Sequence, residues 1–471
     1  MPVIRTERFA ADTQVPVLVV GGGACGMTAG LAAAEAGAET WILERDATPH
    51  GTTGMSQGFI CAAASKAQRA AGVEGTTDAF FADIMAKTKG QTDPALARAI
   101  ADEAAPTVDW LMDAHGLQLS VDPAWRGDFG HTKPRLHGLP SRTGAELLGT
   151  LTRAAEAAGA QIVTNAHVTG LYADASDRVL GVAVERPDGT VETLGCDALV
   201  LATCGFGANR DMVRRYIEEA ADSPYWGHEG DDGGGIQLGM ELGAAVADMA
   251  AYQGYGALNT DVGVLVNYNL IMEGGIQVNT LGERFSNELA NISGQGVQVL
   301  KQPGGIAWVV WDERRHQDSR WHEYKQLTGM GAVKRGEDAA ALAATIGVPA
   351  PALAASIAST TAGAPDRFGR AFGGYPPLTG PFYAARVTGA LFHTQGGLVV
   401  DGAARVHRAD GSALPNLFAG GGTARSISGP GVWGYLPAMG LCMAVTLGRL
   451  GGQAAARVAA ARVAAREKVA A

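Results

Sequence analysis

The chain opens its regular structure with an unbroken apolar run, Val15 to Val20, followed by glycines. A small-residue stretch, Ala24 to Ala36, comes next, and a second apolar run closes on Glu44. This order predicts strand, glycine turn, helix and second strand. Further on, apolar positions recur at helical spacing over about Asp78–Lys87, Pro94–His115 and Gly144–Ala158. Gln161–Asn165 has the look of a strand. Val168–Tyr172, Val179–Glu185 and Thr190–Leu194 predict a small antiparallel meander turning at Pro187-Asp188-Gly189. Asp197–Gly207 is a buried strand running into a glycine turn, and Gly230–Gly235 leads into a helix over Ile236–Gly243.

From about Ala250 tyrosines and asparagines cluster (Tyr252, Tyr255, Asn267, Tyr268, Asn269). Strands are expected at Gly275–Asn279 and Ile306–Trp311, and an alanine-rich helix over Ala339–Ala358, broken at Pro349 and Pro351. Pro381–Val387 is expected to return to the first domain, and Ala454–Ala471 to form a solvated surface helix. The domains expected are 1–249, an insertion over 250–379, and 380–471.

Composition narrows the class. A chain of 471 residues, 47% apolar and with 66 glycines, suits a tightly wound α/β enzyme of two domains. The net charge of −10 leaves no broad basic surface for nucleic acid. The five cysteines form no CxxC pair, so no disulfide framework, zinc site or dithiol centre is expected. The N-terminus lacks an apolar signal core, and the longest membrane candidate, around Ala438–Leu447, is stopped by Arg449. The expectation is a cytoplasmic protein without a membrane span.

The first chemical signal is the GxGxxG of Gly21–Gly26, set between strand and helix. Gly21 permits the turn, Gly23 lets backbone approach a pyrophosphate, and Gly26 lets helix pack on strand. The helix start at Ala24 and Cys25 offers N–H groups to phosphate. Glu44 can accept hydrogen bonds from ribose hydroxyls, and Arg45 follows it. The glycine- and serine-rich run His50–Gly58 can either wrap the rest of such a cofactor or be a plain surface loop.

Taken together, the opening βαβ, Gly54–Gly58, Leu201-Ala-Thr-Cys-Gly-Phe206, Glu283-Arg-Phe-Ser-Asn-Glu288, His393-Thr-Gln-Gly-Gly397 and Leu417-Phe-Ala-Gly-Gly421 resemble one superfamily. It is the FAD-dependent fumarate reductase/succinate dehydrogenase flavoprotein superfamily, which includes the 3-ketosteroid dehydrogenases. The resemblance spans about Val15 to Gly452. It implies an α/β fold in which a Rossmann-like FAD-binding domain is interrupted by an α+β capping domain, with substrate between cap and flavin. It also implies hydride transfer between flavin N5 and a carbon of a CH–CH bond. Carried over residue by residue, it implies FAD contacts at Gly21, Gly23, Ala24, Cys25, Gly26, Glu44 and Arg45, at Thr52, Thr53, Gly54, Ser56, Gln57 and Gly58, and at Val168, Thr203, Gly205, Gly420, Gly421, Ala438 and Met439.

Departures from the pattern carry information. An acidic residue usually follows Ala-Gly near the C-terminus, where this chain has Gly421. The position of the histidine bonded to FAD in succinate dehydrogenases falls on Thr52, with His50 out of register, so non-covalent FAD is expected. Of the dicarboxylate-binding set only His393 is retained. The first histidine position falls on Tyr255, the Thr-Glu pair on about Asn267-Tyr268 and the catalytic arginine on Ile292, with no Arg or Lys between Arg284 and Lys301. A dicarboxylate needs strong cationic partners to offset its desolvation. Fumarate and succinate are therefore disfavoured.

Tyr435-Leu-Pro-Ala-Met-Gly440 looks like the tyrosine-then-glycine arrangement of 3-ketosteroid dehydrogenases, in which a hydroxyl and a backbone N–H hold a ketone oxygen. The site residues expected are Tyr435, His393, Tyr255 and Tyr268. The activity expected is α,β-dehydrogenation of a ketone or the reverse enone reduction, with a small-molecule substrate and a separate electron donor or acceptor. Two alternatives stand beside it: reduction of an unsaturated carboxylate using Arg142 or Arg425, and a non-catalytic FAD-binding protein. Buried tyrosines also serve as packing residues, His137 and Arg142 as a structural pair, Trp433 as core and Cys204 as inert packing.

Overall fold

A computed structural model describes residues 2–124, 129–318, 321–361 and 363–470. The chain divides into two compact units: Met1–Glu218 with Gly227–Tyr252 and His393–Ala471, and Glu219–Trp226 with Gln253–Phe392.

Among the described residues the first unit is built on a nine-stranded sheet. Its centre is Thr13–Val20, whose Val15, Val17, Leu18 and Val19 are fully buried. Each such side chain contributes roughly 1.5–3 kcal/mol of burial. It pairs in parallel with Thr40–Leu43 on one side and Val191–Leu201 on the other. Gln161–Val163 extends the Thr40–Leu43 side in parallel. Val191–Leu201 carries the antiparallel meander through Val179–Glu185 on its first half and Ala413–Ala419 in parallel on its second. The separately expected Thr190–Leu194 and Asp197 strands are thus one strand, long enough to serve two neighbours.

The helix Ala24–Glu35 covers this sheet, and its residues 24–33 are all buried. Against it lies Met439–Ala470, one helix of 32 residues. Small residues let them meet: a Cβ on Gly448 would stand 2.6 Å from the Cys25 carbonyl oxygen, and one on Gly452 2.1 Å from that of Ala29. The expected solvated tail is the continuation of this helix: Ala454, Ala455, Ala456 and Ala459 are buried, and residues 460–468 are exposed as expected. No helix among the described residues is long and apolar enough to cross a membrane.

The second unit is organised by a five-stranded sheet, Tyr252–Asn259, Phe382–Thr394, Ile306–Asp312 and Ile276–Asn279 in order, with Val333–Gly336 also on Phe382–Thr394. Helices Ala339–Ile346 and Ala350–Ala358 pack on it through Leu342, Ile346, Leu353 and Ile357. The return to the first unit comes at His393 and not near residue 380. Phe382–Thr388 pairs antiparallel with Ile306–Asp312, and Phe382–Phe392 belongs to the second unit.

Candidate functional site

The cofactor end is set by glycines that the backbone requires and one that it does not. Gly21 has φ +107°, and a Cβ there would stand 2.4 Å from the Ala202 carbonyl oxygen. A Cβ on Gly26 would stand 1.7 Å from the Gly21 carbonyl oxygen. Packing alone dictates both. Gly23 differs. Its backbone is extended, and its Cβ would meet nothing nearer than Thr53 Oγ1 at 3.4 Å. The space over Gly23 is kept clear at the start of a helix whose first N–H groups have no partner within the helix. Thr53 Oγ1 accepts from Ala24 N–H at 3.0 Å. The Cys25 and Gly26 N–H groups lie in the same first turn, where a helix start favours an anion.

Glu44 is held by two backbone donors, Gly22 N–H on Oε2 (2.7 Å) and Asp46 N–H on Oε1 (2.9 Å). Each oxygen keeps a second lone pair for a ribose hydroxyl. Arg45 pairs with Asp46 and lies against Gly230. Val168 is buried in the strand His167–Ala173.

The run after Glu44 folds as a short helix, Gly51–Met55, docked on the start of helix Gly144–Ala157: Gly144 N–H donates to Ser56 O at 2.7 Å. Ser56 Oγ donates to Thr53 O and accepts from Gly58 N–H. Gly58 needs its positive φ of 68°, and a Cβ on Gly54 would crowd the His50 ring. Thr52 Oγ1 donates to Asp231 Oδ2 at 2.5 Å. Gln57 lies in the same loop.

Thr203, Gly205, Gly420 and Gly421 gather where two sheet strands end. Thr203 Oγ1 and Thr423 Oγ1 lie 3.2 Å apart, and Gly205 faces Thr394. Gly421 has φ +58°, and its Cβ would stand 3.2 Å from that of Cys25. An acidic side chain at 421 has no unstrained place here.

At the start of the long helix the sequence-expected residues of the first unit converge. Ala438 (φ +67°) turns the chain into the helix at Met439. Tyr435 and His393 meet edge to face, ring centroids 5.7 Å apart at 76°. A Cβ on Gly440 would stand 3.0 Å from His393 Cε1. Burial pushes the Tyr435 phenol above its ordinary value, opposed by the Gly440 and Ala438 backbone N–H groups. Burial also pushes the His393 imidazole down to about 4. Both groups are neutral at pH 7, and both stand beside helix-start N–H groups that favour negative charge.

Behind them lies a layer that the sequence reading did not single out. Gln395 Nε2 lies 2.6 Å from His393 Nδ1, and Ser428 Oγ donates to Gln395 Oε1 at 2.9 Å. His131 Nε2 lies 2.9 Å from Pro437 O, and fully buried Arg135 pairs with Asp83 at 2.8 Å.

In the second unit Tyr255 and Tyr268 form one aromatic cluster, centroids 5.6 Å apart, with Phe392 stacked on Tyr255 at 4.9 Å. Their hydroxyls donate to backbone: Tyr255 to Val266 O at 2.9 Å, Tyr268 to Glu288 O at 2.6 Å. Burial raises both phenols. The Arg284-to-Glu288 motif is a buried ion network in which Arg284 and Arg370 both hold Glu288.

The two arginines considered for a carboxylate are otherwise engaged. Arg425 pairs with Asp248 (2.7 Å) and Asp93 (3.3 Å). Arg142 donates to the carbonyl and hydroxyl of Ser120 at 3.3 Å and lies over Phe59.

The turn at Gly21–Gly26, Glu44 with its two backbone donors and the Tyr435–His393 pair at the start of the long helix all belong to the first unit. Residues 16–440 match the model of the FAD binding domain family, and the chain belongs to that family. It is 29% identical over 449 residues to a probable fumarate reductase of Shewanella frigidimarina, covering 94% of this chain and 74% of that protein. Among solved structures it superposes on the open conformation of a flavocytochrome c3 fumarate reductase with a TM-score of 0.80. That match is at 27% identity over 96% of this chain and 79% of the other. The 3-ketosteroid-Δ4-(5α)-dehydrogenase of Rhodococcus jostii RHA1 shares the fold, with a TM-score of 0.76 at 24% identity over 96% and 98% of the two chains. The chain is thus an FAD-dependent oxidoreductase whose fold is shared with a fumarate reductase and a 3-ketosteroid dehydrogenase.

Proposed function

We propose that this enzyme acts on a CH–CH bond beside a ketone, by α,β-dehydrogenation or by the reverse reduction of an enone. The observation that carries this reading is the pairing of Tyr435 with His393 at the start of the long helix, where the groups that could hold a substrate oxygen are neutral donors. A ketone oxygen is a neutral acceptor that gathers negative charge as its α-carbon loses a proton. Preorganised donors favour that change over the ground state. Bound FAD supplies the hydride acceptor, or the donor in reverse. Tyr435 donates its O–H to the carbonyl oxygen, and His393 orients the same oxygen from the side. Tyr255 and Tyr268 have hydroxyls held by their own unit's carbonyls, so the reading leans on Tyr435 and His393.

Reduction of an unsaturated carboxylate is the second reading. It draws on the likeness to a probable fumarate reductase and on the retained His393. Against it, Arg425 and Arg142 already have partners, and no cation takes the place of Tyr435. Anaerobic mixing of the holoenzyme with saturated cyclic ketones, and of dithionite-reduced holoenzyme with enones, separates the two. Bleaching by a ketone or reoxidation by an enone is expected. Flavin that responds to fumarate or another unsaturated acid and to no ketone or enone overturns the first reading in favour of the second.

A further inference from the structure

His393 and Gln395 stand two residues apart at the end of strand Phe382–Thr394, a spacing that sends side chains to one side of an extended chain. Gln395 Nε2 lies 2.6 Å from His393 Nδ1. Gln395 is buried, and three further contacts hold it. Ser428 Oγ donates to its Oε1 at 2.9 Å, Ser426 N–H donates to its carbonyl at 2.8 Å, and its own N–H donates to Ala251 O at 2.8 Å. Ser428 is itself buried and lies 3.2 Å from Ser426 Oγ. With Oε1 accepting from Ser428, the amide presents N–H to the imidazole, and an imidazole nitrogen that accepts carries no proton. The ring proton then sits on Nε2.

We propose that Gln395, backed by Ser428, is a positioning residue that fixes His393 in the Nε2–H tautomer. His393 thereby becomes a second neutral donor beside Tyr435, suited to an uncharged acceptor oxygen. The part concerning substrate rests on the ketone reading above; the part concerning the tautomer does not. The consequence is that His393 stabilises charge on oxygen and does not take the α-proton, because its only unprotonated nitrogen is covered by Gln395. The same logic explains a glutamine here: a glutamate would accept from Nδ1–H, hold the ring as imidazolium and favour a substrate anion.

The test uses FAD-loaded enzyme carrying histidine labelled with ¹⁵N, with the His393 signals assigned by their loss in His393→Gln. Long-range ¹H–¹⁵N correlation at pH 7 is expected to show Nε2 protonated and Nδ1 bare. Gln395→Glu is expected to move the proton to Nδ1 and raise the His393 titration by about two pH units. Gln395→Leu is expected to mix the tautomers and lower kcat/KM for an enone about tenfold, with the flavin spectrum retained. A wild-type ring protonated on Nδ1 overturns the proposal without any variant, and so does a tautomer that Gln395→Leu leaves unchanged. An Nε2–H ring in an enzyme that turns over no ketone or enone keeps the positioning role and removes the ketone reading.

Discussion

Gly440 has no side chain because the ring of His393 lies where one would be: a Cβ there would stand 3.0 Å from Cε1 and 3.3 Å from Nε2. The glycine is fixed by a neighbouring functional group, since it opens the second residue of a helix and its backbone alone does not require it. Gly440→Ala is expected to push the imidazole aside and lower kcat/KM about tenfold, because misplacement by a fraction of an ångström is costly in an oriented site. Flavin content and melting temperature should stay near wild type. An alanine variant with unchanged kinetics would show that the ring position does not matter.

Tyr435→Phe removes one hydroxyl and keeps the ring that meets His393 edge to face. Loss of a single oxyanion donor costs on the order of 10²–10³ in kcat. The drop should appear in kcat with enones, with FAD still bound at full occupancy. A loss confined to KM would reassign Tyr435 to ground-state binding.

Two glycines of the cofactor turn should respond in opposite ways. Gly23→Ala places a methyl in open space, 3.4 Å from Thr53 Oγ1, so the apoprotein should melt as wild type while FAD affinity falls at least tenfold. Gly26→Ala drives a methyl to 1.7 Å from the Gly21 carbonyl oxygen, so the chain itself should be destabilised. Calorimetry of the apoproteins and flavin titration check both. Normal FAD binding by Gly23→Ala would move the pyrophosphate elsewhere.

FAD should leave the denatured chain. Thr52 stands at the attachment position and spends its hydroxyl on Asp231. His50 precedes the helix Gly51–Met55 and packs beside Gly54. Urea-denatured holoenzyme passed through a size-cutoff membrane should release all its flavin. Flavin retained by the chain would overturn the expectation of non-covalent binding.

Stability should fall in mild acid for a reason that lies away from the surface. Burial pushes His131 down to about 3 and His137 to about 4, against an unfolded value near 6.5. Between those values the unfolded chain binds protons that the folded chain refuses. The stability these histidines contribute is therefore whole above about pH 6.5 and is lost as pH falls towards 4. At pH 5 the loss is on the order of 2 kcal/mol for each histidine. Denaturant midpoints at pH 7 and pH 5 should differ accordingly, and replacing His137 by glutamine should reduce the difference by the share of that one ring. A midpoint that does not move with pH would mean that these rings are protonated in the folded state.

The parts of the chain legible in the sequence are those whose constraints are local. Val15–Glu44 announces strand, turn and helix because its apolar runs, the positive φ at Gly21 and the contact of Gly26 with the Gly21 carbonyl all lie within that stretch. The sequence puts Pro381–Val387 with the first domain because the partner of Phe382–Thr388, Ile306–Asp312, lies about 70 residues earlier and leaves no local trace. The tail after Ala454 looked solvated because alanine and arginine fit either face. The glycines that meet Ala29 and Cys25 mark where the helix is buried, and residues 460–468 are exposed as expected. Tyr435 and His393 were legible as types at family positions, while Gln395 escaped notice for want of a motif. Its spacing of two from His393 on a strand was the available signal.

The helix Met439–Ala470 touches both ends of the cofactor's expected path: Gly440 faces His393 and Gly448 faces Cys25. Eight residues at 1.5 Å rise separate these contacts by about 12 Å. The helix is in effect a gauge block, fixing the interval between the polar pair and the phosphate cradle whatever the loops around it do. Side chains near Tyr435 can be exchanged for new substrates without disturbing that interval. A single inserted residue within the first two turns would rotate one contact by about 100° relative to the other and uncouple them.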